Sequence, residues 1–99
     1  MIILDGKKFI DREKSYTYLN EKFDFDYYVK NLDALYDSLS MLVEEIEIID
    51  YAYLVKNMGD YGYKILRVFL DCAVKEELKV NFINYWLGAA MYEKSKYME

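Results

Sequence analysis

The sequence has no histidine, no proline, one cysteine and only four glycines. The missing histidine removes the side chain that most often moves protons near neutral pH. Gly6, Gly59, Gly62 and Gly88 are too scattered to build a phosphate-cradling loop. Neither Cys72 nor any serine stands in motif spacing with a base, so nucleophilic catalysis has no template here. Cys72 alone cannot close an intramolecular disulfide, which suits a reducing compartment, and it is expected as a small buried hydrophobe. With no proline, no low-complexity tract and no repeat, nothing divides the 99 residues, and one domain with its own core is expected. No apolar run approaches the roughly 20 residues of a membrane span. Residues 1–4 are followed at once by Asp5 and Gly6 rather than by a secretory leader. These absences imply a cytoplasmic protein, off the membrane, with no cofactor and no bound metal.

What is present is charge, unevenly placed. Between residues 24 and 50 lie eight acids (Asp24, Asp26, Asp33, Asp37, Glu44, Glu45, Glu47 and Asp50) against Lys30 alone, a balance of −7. The rest of the chain holds the other ten acids and twelve bases, or +2, which together give the net −5. An acidic centre argues against direct nucleic-acid binding, since phosphate backbones require Lys and Arg. It favours a basic partner over a neutral one; the plainer alternative is a solvated acidic face.

Three short runs rich in Ile, Val or aromatic residues read as buried strands: 2–4, 46–51 and 80–85. Between the first two, Tyr16, Leu19 and Phe23 make one helix face. Leu32, Leu35, Leu39 and Leu42 make a second, with Asn31 as its N-cap. Leu54 and Val55 suggest a short helix ended by Gly59. After Asp60 comes a longer helix carrying Ile65, Leu66, Phe69, Leu70 and Ala73. Residues 86–99, with Leu87, Ala90 and Met91 on one face, are expected to form a final helix. Strands separated by helices predict an α/β fold: a three-stranded parallel sheet packed with helices.

On the second helix the leucines define the inner side, so Asp33 and Asp37 are expected outside, one turn apart. Like charges at i and i+4 weaken a helix slightly. The helix dipole accounts for an acid in the first turn, which explains Asp33 but not Asp37. Local rules that fail without local compensation point to function. Tyr27 and Tyr28 precede the helix and Tyr36 lies on it, and aromatic rings beside exposed acids suit an interface. Tyr28 is expected to be a core residue with a wet hydroxyl.

The run Tyr27-Tyr28-Val29-Lys30-Asn31-Leu32-Asp33-Ala34-Leu35-Tyr36-Asp37 resembles the signature loop and helix of the barstar family, intracellular inhibitors of secreted ribonucleases. Asp5-Gly6, Ile48-Ile49-Asp50-Tyr51, residues 65–76 and residues 80–84 extend the resemblance over residues 2–84. It implies a barstar-like fold and an immunity-type inhibitor, a monomer whose partner is a basic ribonuclease or nuclease toxin. Asp33 and Asp37 match the aspartates that plug the nuclease active site, one standing in for a substrate phosphate. Tyr27 matches a tyrosine that packs on the catalytic histidine; Asn31, Leu32 and Tyr36 match further contacts, with Tyr36 where the family has tryptophan. Asp71 matches a peripheral glutamate and Glu44 a rim acid. Val29 replaces a loop glycine at a contact position. Met41 and Leu42 replace a glycine and a tryptophan, the stretch before the last helix is shorter, and residues 85–99 are an extra C-terminal segment. Two other readings compete. One is an acidic interaction or regulatory module with a non-nuclease partner. The other is an enzyme using Asp33 and Asp37, for which two carboxylates are few as acid–base or cation ligands. Asp11, far from the motif, is expected to be neutral when replaced.

Overall fold

A computed structural model describes residues 1–85; the helix expected over residues 86–99 lies outside the described residues. The elements run β1 (Ile2–Asp5), a 3-10 turn (Gly6–Lys8), α1 (Arg12–Lys22), α2 (Leu32–Ser40), β2 (Ile46–Ile49), α3 (Ala52–Met58), α4 (Asp60–Lys75) and β3 (Val80–Ile83). The strands form one sheet in the order β1-β2-β3, parallel throughout, as the alternation of strands and helices predicted. Among the described residues no helix is long and apolar enough to cross a membrane.

The strands are not buried on both sides. Leu4, Ile48 and Phe82 lie level across the sheet, and Ile46 lies beside Ile2 and Val80. The pleat puts these six on one face. Leu4, Ile46 and Ile48 are fully buried there, packed in one core with Leu19, Leu35, Leu39, Ile65 and Phe69 of the helices. Ile3, Glu47 and Asn81 take the alternate positions, and Ile3 and Asn81 are exposed. The apolar runs thus concealed a sheet whose second face is solvated.

β2 ends two residues before its apolar run does. Asp50 takes a left-handed backbone (φ 51°) and turns the chain into α3, with Tyr51 at the helix cap. The corner is fastened by the Asp50 carboxylate, which accepts from the Tyr85 backbone N–H (3.1 Å) and pairs with Lys7 Nζ at 3.6 Å. Gly6 makes the approach possible, because a Cβ there would collide with the Asp50 carbonyl. Asp50 therefore belongs to the framework of the fold rather than to an acidic surface.

The hydrophobic residues of α4 are not all on its buried side. Gly62, Ile65, Phe69 and Cys72 are buried, and Gly62 lets α4 close on the Leu54 carbonyl of α3. Leu70 points elsewhere and is 42% exposed. On α1, Tyr16, Leu19 and Phe23 are buried as their spacing requires.

Candidate functional site

Helix α2 starts where Asn31, in extended backbone, accepts the Ala34 N–H through Oδ1 at 2.8 Å. This satisfies a backbone donor that the first turn otherwise leaves unpaired. Leu35 and Leu39 are fully buried and Leu32 is half-buried, which fixes the rotation of the helix. Asp33 and Asp37 consequently lie outside and are both exposed.

The loop in front of α2 carries Tyr27 and Tyr28, 51% and 58% exposed. Two such rings in solvent require a backbone held by something else. Phe23 and Phe25 stack at 5.0 Å between centroids, nearly parallel at 16°. Four residues on, Val29 is fully buried. Both of its backbone groups are taken by one side chain of α1: Asn20 Oδ1 accepts the Val29 N–H (2.9 Å) and Asn20 Nδ2 donates to the Val29 carbonyl (2.7 Å). The same amide donates to the Tyr16 carbonyl at 2.7 Å. The loop is therefore pinned at both ends while its tyrosines stay available.

Two sequence expectations are corrected here. Tyr28 is an exposed ring rather than a core residue; its hydroxyl lies 3.3 Å from Thr17 Oγ1. Val29 cannot offer its side chain as a contact, because it is the buried anchor of the loop and its backbone is already occupied by Asn20.

Tyr27 and Asp37 line one open groove together with Asp24, Asp26 and Met41. Its volume, about 290 Å³, is at the bottom of the range of small-molecule sites. A partner's side chain suits it better than an enclosed ligand. Among the described residues no three His, Cys, Asp or Glu side chains gather as a metal site. On the other flank Tyr36 is half-buried, and its hydroxyl donates to Glu76 Oε1 of α4 at 3.1 Å. Desolvation, then the Glu76 carboxylate, push the Tyr36 hydroxyl above the ordinary tyrosine pKa. Asp71, five residues before Glu76, is half-buried and bound to Arg67 Nε at 3.2 Å. A basic partner would have to share Asp71 with Arg67. Glu44 is exposed in the turn leading into β2.

The structure brings Tyr27, Asp33, Tyr36 and Asp37 onto α2 and the loop before it, and adds Asp71 through the α2–α4 contact. It also shows members that pattern reading missed. Asn20 left no signal beyond being a polar residue on a mostly exposed helix. Glu76 is invisible without knowing that α4 packs beside α2. Asp24 and Asp26 were legible only as charge.

Residues 1–86 match the family described as "Barstar (barnase inhibitor)". The chain belongs to the barstar family. It is 35% identical over 85 residues to the Bacillus subtilis (strain 168) protein named "Putative ribonuclease inhibitor YrdF", covering 82% of this chain and 91% of that protein. Barstar membership accounts for the parallel sheet, and the family's description and the relative's name agree on ribonuclease inhibition at the level of the family. Both also point away from catalysis.

Proposed function

We propose that this chain inhibits a basic ribonuclease by seating α2 and the loop before it in the nuclease active site. The observation that carries the reading is a pair of exposed carboxylates, Asp33 and Asp37, on a capped helix beside a pinned loop that presents Tyr27. A ribonuclease cleft is built to hold phosphates with basic side chains and backbone donors. Carboxylates on a rigid helix supply that charge with no bond to cleave. Tyr27 covers the edge of the cleft with a ring that orders few torsions on binding. Asn31, Leu32, Tyr36, Glu44 and Asp71 surround this centre, and the cell that makes the inhibitor gains immunity to the toxin.

The test is titration of the chain against a panel of small secreted ribonucleases, barnase included, with fluorogenic RNA cleavage as readout. One-to-one inhibition of at least one member by the parent, with marked loss on Asp37→Ala, is expected. If no member is inhibited and a non-nuclease basic protein instead binds the α2 surface, the chain is an interaction module rather than a nuclease inhibitor.

A further inference from the structure

The two exposed tyrosines of the pinned loop line different grooves. Tyr27 lines the acidic one beside Asp37. Tyr28 lines a second, of about 280 Å³, with Lys30 of the same loop and with Arg12, Glu13 and Tyr16 of α1. Lys30 is the one base among the eight acids of residues 24–50. It lines the pocket that holds Arg12, not the acidic groove. Glu13 is the single carboxylate there against these two cations. Charge thus changes sign from one tyrosine to the next.

Arg12 is the first residue of α1, at the positive end of the helix dipole, where an acid is favoured and a base is not. A ring holds it there: its guanidinium carbon lies 4.5 Å from the Tyr61 ring centroid. The Tyr61 hydroxyl in turn shares a hydrogen bond with that of Tyr16. A guanidinium stacked by its face keeps its N–H donors at its edge. Arg12 and Lys30 are both exposed, and among the described residues neither side chain makes a hydrogen bond or an ion pair. The pocket walls are clamped together before any partner arrives. Asn20 donates to the Tyr16 carbonyl and takes both backbone groups of Val29, which stands between Tyr28 and Lys30. A site already formed costs less ordering on binding.

We propose that this pocket is a second docking point, opposite in charge to α2, which takes a carboxylate side chain from the rim of the nuclease cleft. The Arg12 edge and the Lys30 ammonium both donate to that carboxylate, and the Tyr28 ring shields it. RNA phosphate is the less favoured occupant, because the chain around the pocket carries a net −5. Basic clefts are common to enzymes that hold phosphates, so the α2 carboxylates alone discriminate little between them. A required acid beside the cleft adds that selection.

Resting on the inhibitor reading, this contact is separable from it by the sign of one effect. Removing a base makes the chain more acidic, which by steering alone should speed association with a basic nuclease. Arg12→Gln and Lys30→Gln are instead expected to speed dissociation of a panel nuclease that the parent inhibits, by about tenfold each, the worth of a hydrogen bond to a charged group. Arg12→Lys keeps a cation over Tyr61 and should recover part of that loss. Replacing the nuclease's surface Asp and Glu with Ala, one at a time, should find one whose effect is non-additive with Arg12→Gln. If both Gln variants hold the nuclease as tightly as the parent while Asp37→Ala releases it, the pocket is not a contact and the inhibitor reading stands. If the parent inhibits no member of the panel, both fall. A short single-stranded RNA that binds the free chain and is released by Lys30→Gln would make phosphate the occupant and overturn the carboxylate.

Discussion

At the scale of single residues, position in the helix and in the groove separates acids that look alike in sequence. Asp33 stands in the first turn of α2, where the helix dipole favours it by about 0.3–1 kcal/mol. Asp37 lies one turn deeper and reaches the groove that Tyr27 shares. Asp37→Ala should leave folding intact or slightly improved, since the i,i+4 repulsion it removes is about 0.2–0.5 kcal/mol. Against the cognate nuclease it should cost about 2–5 kcal/mol, roughly 30-fold to several thousand-fold in affinity, because it strands buried bases on the partner. Affinity within a factor of two of the parent would remove Asp37 from the contact. Asp11→Ala is a poor control: Asp11 Oδ1 caps α1 by accepting the Lys14 N–H at 2.8 Å. Exposed Glu21 is a better choice. Asn20→Ala differs from Asp37→Ala in its effect on stability. It leaves the buried Val29 N–H and C=O without their partner, at about 1–3 kcal/mol for each group left unsatisfied, so it should lower both the melting temperature and the affinity. Unchanged stability in calorimetry would mean that the loop is not pinned by this amide. Cys72 is fully buried, and desolvation, followed by the carboxylates of Glu76 and Asp71, pushes its thiol up to about 11. The thiolate is the reactive form, so labelling at neutral pH should proceed only as fast as the chain opens. The same shift makes folding stability fall as pH rises from about 9 toward 11, because the unfolded thiol ionises first.

At the scale of elements, sequence pattern was reliable where one interaction dominates and failed where two compete. The α2 leucines and the Asn31 cap were legible because a helix with one buried side and one solvent side obeys a single period. Asn31→Ala should cost about 1 kcal/mol and fray the turn that carries Asp33, with urea denaturation as the check. Leu39→Ala, in the core, should cost about 2–5 kcal/mol. The 46–51 run overreached because apolar content does not report backbone handedness. Asp50 at φ 51° ends β2 under a still-apolar sequence, and the compensation comes from Gly6 and Lys7, more than forty residues upstream. Nothing in the sequence separated Leu66 and Leu70 from Ile65 and Phe69, because adjacent hydrophobes on a helix carry no label saying which neighbour each one meets. The rotation of the Tyr27–Tyr28 pair could not be read either: both rings are exposed because Val29, one residue later, takes the buried place. That exchange is held by two hydrogen bonds from one side chain of α1, Asn20.

At the scale of the whole molecule, the acidic segment divides into exposed charge and structural charge. Asp50 is buried at the β2–α3 corner, and Glu45 lies 3.9 Å from Lys79 in an exposed pair of little energetic weight. Asp24, Asp26, Asp33, Asp37 and Glu44 remain exposed on the loop, on α2 and in the turn after it. Five like charges gathered on one part of a small protein set up a field that draws a basic partner in and orients it before contact. Screening decides how far that field reaches: the Debye length falls from about 30 Å at 0.01 M salt to about 8 Å at 0.15 M. If the chain docks on a nuclease as proposed, association should therefore slow steeply as salt rises, while dissociation, set by short-range contacts, should change little. Charge that steers and charge that docks should also separate by mutation. Asp24→Asn with Asp26→Asn should flatten the salt dependence of the on-rate and leave the off-rate near the parent's. Asp37→Ala should act mainly on the off-rate. Stopped-flow mixing at several ionic strengths measures both. An on-rate that stays flat between these salt concentrations would mean that the acidic cluster does not guide the encounter, and inhibition would then have to rest on shape alone.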